Sequence, residues 1–314
     1  MNDNLYKNDA KNVWDGVWRE TSDAFVDYLN KIGEQVFHCI RFENIQILYI
    51  DCSDKRHEMD DYIQSFIGLF KTMANLEEKQ YCLVFLPDTN NNYFQRDLII
   101  EVMAKLKTRD VLILYKEGDR NDFIKREFPS YAHVKVTYNS TLNLLGYCDL
   151  DDYMNCLSRN QRHYLKKSIK KFSTYETLDI RKFNVADYKA QVIDLYRSCC
   201  LKHEDFVEGR GFLNNLEVAE NVEWYGVFEE NSLIMFSGYW KNKDSVVLGM
   251  FGKEYKKEKL LRDSRAYFVL KLKMIENSIH EKKTRVYDGY GVRDIKQSLG
   301  FRIDDYAIMV KPSL

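Results

Sequence analysis

The last third of the chain presents its secondary structure in an order that few folds accommodate. Val222–Glu229 (VEWYGVFE) is dense in aromatic and β-branched residues, and Glu230-Asn231 reads as a turn. Leu233–Trp240 (LIMFSGYW) follows, Asn242–Asp244 turns again, and Ser245–Phe251 (SVVLGMF) completes a three-strand meander. A polar loop, Gly252–Glu258, leads into a long helix whose Leu260, Tyr267, Leu270 and Met274 recur at helical spacing. A strand over Arg285–Tyr290, a short helix over Val292–Leu299 and a strand over Ile303–Val310 come next. Strands first joined by tight turns and then separated by helices imply one mixed sheet with helices packed on it.

The preceding residues alternate less regularly. Asn12–Lys31 has helical spacing through Trp14, Trp18, Phe25 and Leu29, and Met59–Leu76 through Ile63, Phe66, Ile67 and Phe70. Phe37–Ile50 reads as two strands around Glu43-Asn44. Tyr81–Leu86 (YCLVFL) is an apolar run suited to a strand covered on both faces. Helix Leu98–Leu106 and strands Val111–Tyr115 and Val134–Tyr138 continue the alternation. From Asp149 or Asp152, either of which can N-cap, one helix is expected to run to about Phe172. Strand Tyr175–Phe183 and helices Asp187–Leu201 and Phe212–Ala219 lead to the meander. Two halves are expected, 1–148 and 149–314, and since no linker rich in Pro, Gly or Ser separates them they are expected to pack closely.

Composition narrows the function. With 314 residues, 45% of them apolar, and 3 prolines, the chain has the makings of two folded cores. The net charge of −1 supplies no global field for a polyanion, which leaves only local patches for such a partner. No apolar run reaches the length of about 20 residues that spans a bilayer. The polar start MNDNLYKNDAKNVWD lacks the features of a signal peptide, so a cytoplasmic location is expected. The seven cysteines are scattered and never in C-x-x-C spacing, which reads as reduced thiols and no metal site. G-x-S-x-G, Walker and G-x-G-x-x-G patterns are missing, so hydrolase, NTPase and Rossmann dehydrogenase readings lack support.

The element order over Tyr175–Lys311, with Ile295-Lys296-Gln297-Ser298-Leu299-Gly300-Phe301-Arg302, resembles the GCN5-related N-acetyltransferase (GNAT) superfamily and its "lGF" ending. Asp151-Asp152-Tyr153-Met154-Asn155-Cys156-Leu157-Ser158-Arg159-Asn160-Gln161-Arg162-His163, followed by a lysine-rich helix, is similar to a segment of the Fem-type aminoacyl transferases, which carry two GNAT-like halves. The resemblance implies an α/β fold with a GNAT-like mixed sheet flanked by helices, in two tandem halves of which the N-terminal one is degenerate. It further implies acyl transfer to an amine without a metal or a covalent enzyme intermediate, from acyl-CoA, a carrier-protein thioester or aminoacyl-tRNA.

Four constellations are candidates for that chemistry. Arg159, Arg162, His163, Lys166 and Lys170 share one helix face, with Leu157, Tyr164, Leu165 and Phe172 on or near the other. That stripe is either a solvated surface or a rail for a phosphorylated donor, an acyl carrier protein or tRNA. The loop after the meander, Phe251–Arg262, falls where the superfamily holds the coenzyme A pyrophosphate on backbone N–H groups. Its inner glycines are absent here. Lys256, Lys257, Lys259 and Arg262 stand there instead, able to meet phosphates as charges or to form an ordinary charged turn. Backbone N–H groups around Leu248 and Met250 are the candidate grip on the donor carbonyl.

In Tyr287-Asp288-Gly289-Tyr290-Gly291-Val292-Arg293-Asp294-Ile295-Lys296, the resemblance makes Lys296 the group that neutralises an oxyanion or a donor phosphate. Asp288 or Tyr290 is the candidate to exchange a proton with the amine; alternatively they are a helix-start carboxylate and a core-edge tyrosine. Lys202-His203-Glu204-Asp205 falls where the superfamily borders its acceptor. Glu204 or Asp205 would bind the substrate ammonium, and His203 is either a base or a helix-end residue. Three readings stay open: a small-molecule N-acyltransferase, an aminoacyl-tRNA-dependent peptide-bond former, and a non-catalytic binding module.

Overall fold

The computed structural model describes residues 37–42, 45–51, 81–86, 92–107, 110–116, 121–202, 216, 221–288 and 292–310. The expected helices over Asn12–Lys31 and Met59–Leu76 lie outside the described residues, as does the expected helix Phe212–Ala219 except for Leu216. In chain order the elements are β1 (Phe37–Phe42), β2 (Ile45–Asp51), β3 (Tyr81–Phe85), α1 (Asn92–Lys105), β4 (Asp110–Lys116), α2 (Asn121–Glu127) and β5 (Ala132–Asn143). Then come α3 (Leu150–Cys156), α4 (Arg159–Phe172), β6 (Leu178–Lys182), α5 (Val185–Lys202), β7 (Val222–Glu229), β8 (Ser232–Lys241) and β9 (Ser245–Lys253). Last are α6 (Glu258–Asp263), α7 (Ala266–His280), β10 (Arg285–Tyr287), α8 (Arg293–Ser298) and β11 (Arg302–Val310).

The chain forms two compact units, Met1–Asn139 with Gly209–Phe212 and Asp304–Leu314, and Ser140–Glu208 with Leu213–Ile303. In the first, β1, β2 and β3 pair antiparallel in turn, β3 runs parallel to β4, and β11 lies antiparallel against β4 from Tyr306↔Lys116 to Val310↔Leu112. Its core gathers Ile47, Val84, Leu98, Val102, Ile113, Tyr115 and Met309. In the second, the strand order is β5-β10-β9-β8-β7-β6. The end of β5 pairs antiparallel with β10, Thr141↔Tyr287 to Asn143↔Arg285. Each unit is therefore completed by a strand from a distant part of the chain. The sequence pattern sees a strand at Val134–Tyr138 and another at Ile303–Val310, but it carries no sign of this exchange, because pairing partners are not written in periodicity.

Several element limits differ from the sequence expectation for local reasons. The single helix expected from Asp149 to Phe172 is two helices. Asp149 Oδ1 caps α3 by accepting from the Asp152 N–H at 2.8 Å. Ser158 then caps α4 in a reciprocal box: its Oγ accepts from Gln161 N at 3.3 Å, and Gln161 Oε1 accepts from Ser158 N at 3.0 Å. The long helix after the meander is a 3-10 turn (Tyr255–Lys257) followed by α6 and α7, broken where Arg265 adopts φ 64°. Helix α8 ends in a Schellman turn. Gly300, at φ 77°, donates to Gln297 O and Phe301 N donates to Lys296 O, both at 3.0 Å. Leu299 and Phe301 on either side are buried in the core of the second unit. The Leu-Gly-Phe motif is thus a helix stop anchored on two apolar residues.

Candidate functional site

Among the described residues, strand β9 outruns its neighbour β10. It runs parallel to β10 only from Ser245↔Arg285 to Val247↔Tyr287. There β10 stops, while β9 continues as Leu248–Lys253 on β8. At the same point the β8–β9 register shifts: Tyr239 lies opposite Leu248 and Ser237 opposite Phe251, so Gly249-Met250 face the single residue Gly238. This bulge, at Gly249-Met250, lies just past the last β9–β10 pair, Val247↔Tyr287. The approach of α5 holds β9 from behind. A Cβ on Gly252 would lie 2.9 Å from the Leu195 carbonyl carbon and 2.9 Å from the Tyr196 nitrogen, so only glycine admits that packing.

Three buried charged residues meet at the end of β10. Asp288, 5% exposed, follows the strand; Lys271, 3% exposed, comes from α7; Lys296, 2% exposed, comes from α8. Lys271 Nζ donates to Asp288 Oδ1 at 2.7 Å. Lys296 Nζ donates to the main-chain oxygen of Asp288. Asp288 N donates to Ser140 O at 2.9 Å, which fixes its backbone to β5. Among the described residues, Asp288 Oδ2 is buried and accepts no hydrogen bond. A buried acceptor left open costs roughly 1–3 kcal/mol, more when charged, so the arrangement is one that a ligand's donor would relieve.

Aromatic rings continue the site along α7. Lys271 Nζ lies 5.5 Å from the Tyr267 ring centroid. Tyr267 meets Phe251 of β9 edge-on at 5.3 Å and Phe268 at 6.3 Å. Phe268 meets Tyr164 of α4 at 5.0 Å. Arg265 lies over the Tyr164 ring and donates to its hydroxyl at 2.8 Å. The left-handed Arg265 at the start of α7 is thus tied to α4.

Helix α4 carries the basic stripe. Leu165 is buried in the core, with Tyr164, Ile169 and Phe172 against it. On the other side Arg159, Asn160, Arg162, His163 and Lys166 line a cleft of about 580 Å³ among the described residues. Lys170, on the same helix, is exposed. Gln161 Nε2 donates to Gln297 O at 2.6 Å and Arg162 to Asn155 O at 2.9 Å, so α4 is tied to α8 and α3.

The basic residues around the loop after β9 are in part engaged with acids. Lys257 pairs with Glu229 at 2.8 Å, Lys253 with Glu258 at 2.8 Å, and Arg262 with Asp263 at 3.5 Å. Lys256 and Lys259 are exposed. Glu258 opens α6, where its carboxyl is held below the usual range by the hydrogen bond from Lys253 and that ammonium's charge. A carboxylate already complements the positive end of this helix, which has six residues. Tyr290 and the segment His203, Glu204 and Asp205 lie outside the described residues.

Lys271 was not a sequence candidate, although a signal exists. It stands four residues after Tyr267 and three before Met274, on the apolar face of α7. A lysine at such a position requires a partner, and Asp288 is seventeen residues further along the chain.

A second buried polar cluster lies at the other end of the meander. Glu223 Oε1 accepts from Lys182 at 2.6 Å and Lys241 at 2.7 Å; Oε2 accepts from the Tyr239 hydroxyl and from Asn277 Nδ2 at 3.2 Å. Burial would push the Glu223 carboxyl up, but Lys182, Lys241 and Tyr239 together hold it down at about 2. Burial, and then the bond to Glu223, push the Tyr239 phenol up, so it remains a donor. Among the described residues no group of His, Cys, Asp and Glu is arranged to hold a metal ion, and no helix is long and apolar enough to cross a membrane.

No family model and no curated protein matches the sequence. Solved structures do match in fold. A conserved protein of unknown function from Bacteroides thetaiotaomicron superposes with a TM-score of 0.59 at 12% identity, over 98% of this chain and 96% of that one. The C-terminal domain of a putative lysylphosphatidylglycerol synthetase from Agrobacterium fabrum gives 0.57 at 9%, over 100% and 93%. FemX gives 0.55 at 7%, over 91% and 90%. The chain has the fold of these proteins, a GNAT-like α/β fold with a large mixed sheet flanked by helices.

Proposed function

We propose that the chain is an N-acyltransferase that moves an acyl or aminoacyl group from an activated donor to the amine of a small molecule or peptide. The observation that carries the reading is the convergence of Asp288 and Lys296 where β10 stops and β9 carries its bulge. Strand β9 supplies main-chain donors around Leu248–Met250 for the acyl carbonyl. Asp288 Oδ2 takes the proton of the acceptor ammonium, and the freed nitrogen bonds to the acyl carbon. The carbonyl becomes an oxyanion, stabilised by the backbone donors and the Lys296 ammonium. Its collapse breaks the C–S or C–O bond, and the leaving thiolate or alkoxide takes up the second proton that the attacking nitrogen gives up. The fold shared with FemX and with a putative lysylphosphatidylglycerol synthetase domain supports transfer of this kind.

The test is turnover with purified protein and a primary amine, offering acetyl-CoA, longer acyl-CoAs, an acylated carrier protein and aminoacyl-tRNA in turn. Each donor is also followed by thermal stabilisation, since a ligand at a hundred times its Kd adds about 2.7 kcal/mol. Stabilisation together with amine-dependent release of the thiol or tRNA is the expected result. Binding without turnover by every donor would make this a binding module.

One observation favours aminoacyl-tRNA as the donor. The position of the coenzyme A cradle holds the short helix α6 headed by Glu258, whereas α4 offers a basic cleft on its exposed face. A tRNA donor predicts binding that falls steeply between 50 and 200 mM salt, roughly a thousandfold or more for six phosphate contacts. An acyl-CoA donor predicts a shallow salt dependence.

A further inference from the structure

Lys271 is a costly residue in its place. Its neighbours on α7, Leu270, Leu272, Met274 and Ile275, are buried apolar side chains, and the ammonium is carried into the same interior. A buried ion pair is not a reliable source of stability, since well-packed apolar residues of similar volume often serve as well or better. What the pair does here is geometric. The backbone of Asp288 is fixed on both sides, by its N–H to Ser140 and by its carbonyl oxygen to Lys296. Its side chain retains the freedom to turn, and Lys271 removes that freedom by holding Oδ1 at 2.7 Å. Lys271 is itself steadied by the Tyr267 ring, which also meets Phe251 on β9. The oxygen left over, Oδ2, is the one without a hydrogen-bond partner among the described residues.

We propose that Lys271 is the positioning residue of this site: by holding Oδ1 it presents Asp288 Oδ2 to the ammonium of the acceptor. The proposal rests on the reading of Asp288 as proton acceptor. Lys271 touches neither donor nor acceptor, so its removal lowers the rate of transfer and leaves donor binding intact.

The test uses the full chain with acetyl-CoA and aminoacyl-tRNA as donors and n-butylamine as acceptor. It compares Lys271→Met, Lys271→Arg, Asp288→Asn and Lys271→Met with Asp288→Asn. General-base catalysis contributes about a hundredfold or more. Asp288→Asn and Lys271→Met should therefore each lower kcat by about that factor, with the KM for donor unchanged. The double variant should fall no further than Asp288→Asn alone, because both changes disable one oxygen. Lys271→Arg, which keeps a charged donor, should recover at least about a tenth of the wild-type kcat on the same scale. Wild-type kcat in Lys271→Met, with Asp288→Asn impaired, overturns the role of Lys271 and leaves that of Asp288 standing. So does a double variant that loses the product of the two single effects. Wild-type kcat in Asp288→Asn overturns the reading of Asp288 itself. If Lys271→Met does not fold, Lys271→Gln takes its place with the same expected outcomes.

Discussion

Glu223 offers the sharpest quantitative prediction, because one carboxylate joins four elements. It accepts from Lys182 on β6, Tyr239 and Lys241 on β8, and Asn277 on α7, while itself standing on β7 at 8% exposure. Its carboxyl falls from an ordinary 4.5 to about 2 on folding. Each pH unit of displacement is worth about 1.4 kcal/mol, so the ionised group contributes roughly 3 kcal/mol at neutral pH. The folded value is depressed, so this stability is present above the ordinary carboxylate value. It is lost as pH falls from about 4.5 towards about 2. By pH 3 about 2 kcal/mol of it should be gone. Lys182 is more than half exposed, so its share is screened by salt, whereas the Tyr239 and Asn277 bonds are sheltered.

The perturbation is Glu223→Gln, which keeps the shape and removes the charge. Urea unfolding of both proteins at several values from pH 7 to pH 3, followed by a probe in the meander such as Trp224 or Trp240, gives the stability difference at each pH. The expected difference is about 3 kcal/mol at pH 7, shrinking by about 2 kcal/mol at pH 3. A difference that stays constant over that range would refute the assignment of the charge to this network, since only a titrating Glu223 makes it vary.

Four further outcomes follow from named contacts. Lys296→Ala should reduce kcat/KM by about a hundredfold to a thousandfold, the loss of one oxyanion donor, in the turnover assay with the active donor. Ser158→Ala removes the reciprocal cap of α4 and should cost about 1 kcal/mol in urea unfolding. Gly252→Ala drives a methyl group against the backbone of α5 and should destabilise by about 1–3 kcal/mol on the same assay. In the first unit, His133 Nε2–H donates to Phe128 O at 3.2 Å, which leaves Nδ1 to accept from the Tyr115 hydroxyl at 3.0 Å. Burial, helped by the Lys125 charge and opposed by the Phe128 bond, lowers the His133 pKa below 6.5. The stability it contributes is therefore present above 6.5 and lost as pH falls through the folded value. NMR titration of the ring should show a midpoint below that of an exposed histidine, and His133→Gln should flatten the acid slope.

The meander was legible because its turns are local: Glu230-Asn231 and Asn242–Asp244 delimit three strands whose observed limits move by two residues at most. Helix breaks were less so. Ser158 with Gln161 is a capping box visible in the sequence, yet the run of apolar residues through Tyr153, Leu157, Tyr164 and Leu165 hides it by sustaining helical spacing across the break. The short helix α2 was not expected at all, for seven residues give too few turns to establish a period. Lys296 and Asp288 were reached through a motif, but their relation was not, because the bond between them joins a side chain to a main-chain oxygen.

Lys271 and Glu223 show the same limit in two forms. Both are charged residues at positions whose neighbours are buried, a conflict between residue type and pattern that a sequence can display without resolving. The structure resolves them in opposite ways. Glu223 uses both oxygens, each with two donors, and its network is complete; its effect is on the stability of the meander and α7. Asp288, the partner of Lys271, uses one oxygen and leaves the other buried without a donor among the described residues. The first cluster stands where β7 and β8 pair through Glu223↔Tyr239, the second where β10 ends and β9 continues past it. A satisfied network in the paired part of the sheet and an unsatisfied one at the end of β10 is the distribution expected if the first serves the fold and the second serves a ligand. Measuring Glu223→Gln and Asp288→Asn side by side tests that division through kcat: the first should lower stability with little change in kcat, whereas the second, which also leaves the Lys271 ammonium buried without its counter-charge, should lower kcat as well as stability.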